Sequence, residues 1–363
     1  MQEAIQQTTT FAEANDPLAA AAYRAEAWAG EPFLREGEDP AQVLALGTAR
    51  RRALDEAVAE IEEGKTVPST HWKVRFGLML GLERILAEPE PRTKSGTALR
   101  RHQVDALAGM LTELIAAAQR EEEKENGNGH VLTVAELAQV EEEEAEEDEP
   151  LVEVEEEVEE ELTPEQDPGA IRRYRFRHPT ASGKTIAAAG FVEAARTLGV
   201  LILTHRRLLV SQFTRDLTDE GYGDRFTDAI ESGKEPAHTN PLTIQTYAWF
   251  ARHVDTISRD AYQLVICDEA HTALGEKTSA AIRSFPEPIY IGMTATEQLI
   301  AKQVSDVFPA SVDDLPLQDA ARRGLIAPLR CLRVPPVAAI NSVPIVGGDF
   351  DQEIGRASCR ERV

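Results

Sequence analysis

Four short apolar runs constrain this chain more than any other feature. VLILT (200–204), LTIQT (242–246), QLVIC (263–267) and PIYIGM (288–293) are rich in Val, Ile and Leu and bounded by turn residues. A strand buried on both faces reads as a continuous apolar run, whereas a half-exposed strand alternates. Segments with helical periodicity lie between the runs. That order predicts βαβ units: an α/β domain with a parallel sheet covered by helices on both faces. With 363 residues, 42% of them hydrophobic, the chain has material for two or three such cores.

Upstream the pattern is helical. Residues 1–40 are Ala-rich and polar, with weak helical signals and loose ends. Residues 40–63 and 70–87 show helical periodicity and are separated by Gly64 and Pro68. Residues 1–95 therefore read as a helical accessory region packing on the next domain, with no chemistry assigned. Residues 98–119 form a strong amphipathic helix.

The formal net charge of −25 is unevenly placed. Residues 121–162 hold 20 acidic residues and one lysine, while the rest of the chain holds 43 acidic against 37 basic. The acidity thus describes one segment and does not argue against nucleic-acid binding by the remainder. Long like-charge blocks repel themselves, so 121–168 reads as a disordered acidic insertion, with room for a short helix at 133–147. Two readings fit it: a solvated linker, or an arm that competes with nucleic acid for a basic groove. Arg172, Arg173, Arg175 and Arg177, next to it, are candidates to attract it. Cys267, Cys331 and Cys359 form no CxxC pair and no disulfide framework, which suggests a reducing, cytoplasmic setting. The opening MQEAIQQTTTFAEAND has no basic stretch followed by an apolar run, and no segment approaches the ~20 apolar residues of a membrane span.

Chemistry concentrates in two places. PTASGKT (179–185) reads as a phosphate-binding loop opening a helix. Backbone N–H groups and a helix N-terminus converge there, suiting an anion through both hydrogen bonds and the helix dipole. Thr180, Ala181, Ser182 and Gly183 would form the cradle. Lys184 would reach the terminal phosphates of ATP, and the Thr185 hydroxyl would ligate Mg²⁺. The match to G-x-x-x-x-G-K-[ST] is incomplete, since His178 holds the first glycine position. The preceding RRYRFRH makes a poor buried strand. The second place is DEAH (268–271), which follows an apolar strand at its C-terminal end, where open α/β sheets bind ligands. Asp268 suits the metal and Glu269 the attacking water. The plainer alternatives are a chance GKT in a loop and an acidic pair capping a helix. They lose ground because both motifs occur in the right order.

These motifs resemble the first RecA-like domain of superfamily 2 helicases, the DEAD/DEAH-box group, and within it the branch of restriction-enzyme motor subunits and repair helicases. The resemblance covers roughly residues 97–335. It implies that Leu99-Arg100-Arg101-His102-Gln103 is an adenine-reading element. Gln103 would bond the adenine edge, and Arg100 or Arg101 would stack on the ring. It also implies that LILTHRRLLVSQF (201–213) and TIQTYAWF (243–250) are the segments that contact the sugar-phosphate backbone, making Thr204, His205, Arg206 and Thr246 nucleic-acid candidates. Thr294-Ala295-Thr296 would couple hydrolysis to domain motion, with His271 of the DEAH box as its partner. ATP and Mg²⁺ are the implied cofactors and nucleic acid, DNA before RNA, the implied partner.

Ala181 stands where the family usually has glycine, and the acidic insertion interrupts the pattern at a loop, which loop-closure entropy tolerates. Nothing in the chain resembles the second RecA-like domain, which in the family completes the ATPase site. The sequence divides as accessory region 1–95, adenine helix 96–120, acidic insertion 121–168, RecA-like domain 169–335, and the start of a connection at 336–352. The last residues, EIGRASCRERV (353–363), match a translated sequencing-adapter sequence and are expected to be an artefact of a truncated reading frame. Three functions compete. They are a helicase or translocase represented by its N-terminal half, a non-motor P-loop ATPase or kinase, and an ATP-binding interaction module with an acidic arm and no turnover.

Overall fold

The sheet has six strands, all pairs parallel, in the order β3-β2-β4-β5-β1-β6. In chain order these are β1 (Arg173–Arg177), β2 (Val200–Thr204), β3 (Leu242–Thr246), β4 (Leu264–Asp268), β5 (Ile289–Thr294) and β6 (Ala310–Asp314). The computed structural model describes residues 16–125, 167–234, 240–295 and 301–327, together with 345–346 and 349–350. The expected helix at 133–147, most of the acidic insertion, Thr296 and the tail from 353 lie outside the described residues.

The helices are α1 (Pro17–Ala29), α2 (Pro40–Val43), α3 (Ala49–Glu62), α4 (Thr70–Trp72), α5 (Leu78–Leu86), α6 (Arg101–Glu125), α7 (Lys184–Ala194), α8 (Arg207–Leu217), α9 (Tyr247–His253), α10 (Glu276–Ser284), α11 (Ala301–Val307) and α12 (Leu317–Arg322). Successive side chains of a strand point to opposite faces. Accordingly Val200, Ile202, Leu264, Ile266, Ile289 and Ile291 join one core with α1, α3, α5, α6, α7 and α8. Leu201, Leu203, Val265, Cys267 and Tyr290 join a second core with α9, α10 and α11. Both faces are covered, which is why the strands read as unbroken apolar runs.

The chain divides into two compact units, Met1–Ala320 and Ala321–Val363. In the second, β7 (Ile345–Val346) pairs antiparallel with β8 (Asp349–Phe350). In the first, the upstream helices share a core with the sheet. The contact is polar as well. Buried Glu31 binds Arg84 at 2.8 Å and Arg196 at 2.9 Å, and Arg84 Nη2 donates to the Glu193 carbonyl at the end of α7 at 2.7 Å. Burial raises the Glu31 carboxyl above the ordinary range, against the pull of Arg84 and Arg196.

Three sequence expectations need correction. RYRFR is strand β1, with Tyr174 and Phe176 buried. Its arginines are accommodated by partners distant in sequence. Arg173 is ion-paired with Asp167, Arg175 donates to the carbonyls of Phe308 and Pro309, and Arg177 pairs with Asp314 at 2.5 Å. Arg173, Arg175 and Arg177 are thus engaged within the fold. Residues 17–29, read as weak and loose, form a helix capped by Asp16, whose buried face is alanine only: Ala19, Ala22, Ala25 and Ala29. The amphipathic helix at 98–119 runs on to Glu125, and Asp167 is held by Arg173 and Arg283.

Candidate nucleotide-binding site

The site forms where the parallel strands end. The loop after β1 turns sharply, with the Ser182 N–H donating to the Pro179 carbonyl at 3.2 Å. Ala181 and Gly183 both take positive φ, 66° and 91°. Glycine adopts that conformation freely, and a non-glycine residue there is uncommon. Gly183 is also tight: a Cβ would stand 2.9 Å from Gln103 Nε2. Immediately after it α7 begins at Lys184, so the helix N-terminus faces the loop.

Lys184 and Glu269, 85 residues apart in the chain, meet here: Lys184 Nζ donates to Glu269 Oε1 at 2.7 Å. Glu269 sits at φ 48°, a left-handed conformation that turns the chain off β4 into the site. Asp268 closes β4 and is 6% exposed. Burial, reinforced by the Glu269 charge and opposed by Lys184, pushes its carboxyl up to about 6. A carboxylate held this way gains from a cation beside it. Its backbone carbonyl accepts from the buried Tyr247 hydroxyl at 2.9 Å. Sequence reasoning did not single out Tyr247, and only the fold brings it there.

His271 Nδ1 lies 3.4 Å from Thr294 Oγ1 and 3.6 Å from Glu269 Oε2. Thr180, His205, Glu269, His271, Thr272 and Ala295 line an open cleft of about 370 Å³. It therefore collects residues from the loop after β1, the end of β2, the DEAH segment and the end of β5. Thr185 is half-buried on the first turn of α7.

The remaining candidates divide by position. His205 and Arg206 are exposed after β2. Thr204 is buried and its hydroxyl donates to the Arg206 carbonyl at 3.2 Å. Thr246 caps α9 by accepting from the Trp249 N–H at 3.2 Å. Gln103 is buried and uses both ends of its amide on backbone: Nε2 donates to the Gly183 carbonyl at 2.9 Å and Oε1 accepts from the Arg100 N–H at 2.8 Å. Arg100 and Arg101 are exposed.

Among the described residues no group of three or more His, Cys, Asp or Glu gathers to hold a metal ion. Nor is any described helix long and apolar enough to cross a membrane.

Comparison with known proteins gives the context. No curated protein matches the chain. Among solved structures, the UvsW helicase from bacteriophage T4 matches at 17% identity over 40% of this chain and 54% of that one, with a TM-score of 0.31. The Hef helicase domain from Pyrococcus furiosus matches at 20% identity over 44% and 38%, with a TM-score of 0.33. A hypothetical ATP-dependent RNA helicase from Sulfolobus tokodaii matches at 19% identity over 41% and 49%, with a TM-score of 0.32. This chain thus spans about half or less of the length of each. The assignment rests on sequence: the family described as "Type III restriction enzyme, res subunit" matches residues 98–299, from just before α6 to beyond the end of β5. With more than half of its length so matched, the chain belongs to that family, within the superfamily 2 helicases, and carries their first RecA-like domain.

Proposed function

We propose that this chain is the ATP-binding half of a nucleic-acid helicase or translocase, DNA being the favoured track. The observation that carries the reading is the meeting of Lys184 and Glu269 at 2.7 Å beside Asp268. The candidate phosphate-binding cation, the candidate metal-side carboxylate and the candidate base meet where the interior strands β1 and β4 end.

Lys184 would leave Glu269 for the terminal phosphates of ATP, and Glu269, so released, would orient and deprotonate the attacking water. Thr185 and Asp268 would hold Mg²⁺. When bound, that ion neutralises charge on the phosphates. His271 and Thr294 would relay the state of the phosphates to the end of β5. Exposed His205 and Arg206, beside the same cleft, supply nucleic-acid contacts. The test is ATP hydrolysis with and without DNA or RNA, measured on this chain joined to a second RecA-like domain. Stimulation lost in Lys184→Ala supports the motor. Phosphate transfer to an acceptor instead of water supports a kinase, and binding without turnover supports an interaction module.

A further inference from the structure

Two buried histidines flank the phosphate loop and have no part in the scheme above. His102, on α6, is 1% exposed, and His178, which stands at the first glycine position of the loop motif, is 0% exposed. Their rings meet edge to face with centroids 5.2 Å apart, and His178 also packs on Phe176 at 4.8 Å. His178 Nε2 contacts Asp313 Oδ2, on β6, at 2.6 Å. His102 Nε2 lies 2.9 Å from the Ser182 carbonyl. A carbonyl oxygen only accepts, so the His102 proton sits on Nε2. Burial pushes the His102 imidazole below its ordinary pKa, against the pull of the Ser182 hydrogen bond.

The next residue repeats the contact: Gln103 Nε2 donates to the Gly183 carbonyl at 2.9 Å. Consecutive side chains of α6 thus hold consecutive carbonyls of the loop. In a planar trans peptide the C=O of one residue and the N–H of the next point in opposite directions, and no described peptide is cis. Holding the Ser182 carbonyl therefore aims the Gly183 N–H, and holding the Gly183 carbonyl aims the Lys184 N–H, away from α6. Anion-binding loops need their N–H groups set in this way. Ser182 Oγ and the Nδ1 atoms of both histidines are buried without hydrogen-bond partners. Buried polar groups are rarely left so, and in native structures such groups call for an explanation.

We infer that His102 is a positioning residue for phosphate binding: it fixes the peptide plane that presents the Gly183 N–H, and the His178–Asp313 pair braces it from β1 and β6. The role extends to this chain's own departure from the glycine pattern at position 178. It rests on the loop's phosphate-binding role.

The test compares His102→Phe, which keeps a ring but has no donor, with His102→Gln, whose amide nitrogen reaches about as far as Nε2. Binding of Mg²⁺·ATP and of Mg²⁺·tripolyphosphate to the full chain is measured by calorimetry, beside the melting temperature. The expected result is a loss of about tenfold or more for both ligands in His102→Phe, a hydrogen-bond-sized effect. His102→Gln should recover to within about threefold. Asp313→Ala should weaken both ligands in the same direction. A His102→Phe variant that melts like wild type and binds both ligands like wild type overturns the inference. Should that variant not fold, His102→Asn, polar but too short to reach Ser182, replaces it, and wild-type affinity there is equally fatal. Lys184→Ala separates the two levels. If it too binds normally, the loop does not hold phosphate, and the failure belongs to the function proposed above.

Discussion

At the scale of single residues, the site is organised by charges that need one another. Lys184 is 10% exposed at its side chain and its cationic end meets Glu269. Lys184→Ala removes the cation proposed above to face the phosphates, an interaction of about 1.5–3 kcal/mol. Calorimetry should show Mg²⁺·ATP binding weakened about tenfold or more. Glu269→Gln acts oppositely on binding, because Lys184 no longer has a carboxylate to leave. In a chain supplied with the second domain, the variant should hold ATP at least as tightly as wild type while turnover falls by about 100-fold, the low end for losing a general base. Near-normal turnover would move the base elsewhere. Asp268 gives a third outcome. Its carboxyl is raised to about 6, chiefly by burial and next by Glu269, so without a divalent cation its ionised form costs stability at neutral pH. The cost is full above about pH 6 and disappears as pH falls toward the ordinary aspartate value near 4. Asp268→Asn should therefore raise the melting temperature at pH 7 in chelator, by about 2–3 kcal/mol of stability, and change little at pH 4. An unchanged melting temperature at pH 7 would mean that the carboxylate is already compensated.

At the scale of elements, what was legible in the sequence follows from where each strand lies. β2 and β3 run over the expected residues, and β4 and β5 shift by one, because these buried strands need apolar residues on both faces. β1 was unreadable because its alternate residues are Arg173, Arg175 and Arg177, whose partners come from positions 167, 308, 309 and 314. β6, ASVDD, lies at the sheet's edge with Asp313 and Asp314 turned to His178 and Arg177. It has no apolar run to read. The same contrast holds at the site. Gly183 with Lys184, and Asp268 with Glu269, could be proposed from the sequence because each pair is contiguous in a motif. His102, His178 and Asp313 come from three separate segments and meet only when the fold joins them. Helix packing gives a sharper test. At Gly81 α5 crosses α7 so closely that a Cβ would stand 1.8 Å from the Ala194 carbonyl oxygen. That oxygen is backbone and cannot swing aside. Gly81→Ala should cost about 3 kcal/mol, the upper part of the overpacking range, read as a lowered midpoint in urea unfolding. A wild-type midpoint would mean that the two helices separate without penalty.

At the scale of the whole molecule, charge is the feature the fold itself does not explain. Residues 126–166 contain 17 acidic residues and no lysine or arginine, and they join α6 to the segment that opens β1. Both flanks are fixed, α6 by its packing on α7 and β6 and Asp167 by Arg173 and Arg283. The stretch leaves α6 at Glu125, whereas the opposite end of that helix carries His102 and Gln103 against the loop after β1, and it rejoins the fold ahead of β1, at the strand end away from that loop. Loop-closure entropy changes slowly with length, about 0.6 kcal/mol per doubling. Replacing 126–166 by a short Gly/Ser linker should therefore leave the melting temperature and Mg²⁺·ATP affinity close to wild type. Nucleic-acid affinity should respond differently if the stretch acts as an arm. A tethered polyanion of this length, at up to ~3.3 Å per residue when extended, would repel phosphates and compete for His205, Arg206 and Arg207, which are exposed between β2 and the first turn of α8. Removing it should tighten oligonucleotide binding, most at low salt, since screening shortens to about 10 Å at 0.1 M. The measurement is a salt titration of binding by both chains. Curves that converge as salt rises identify an electrostatic competitor. Curves that coincide at every salt concentration identify a linker, and a linker-swapped chain that no longer binds ATP would make the stretch part of the nucleotide domain.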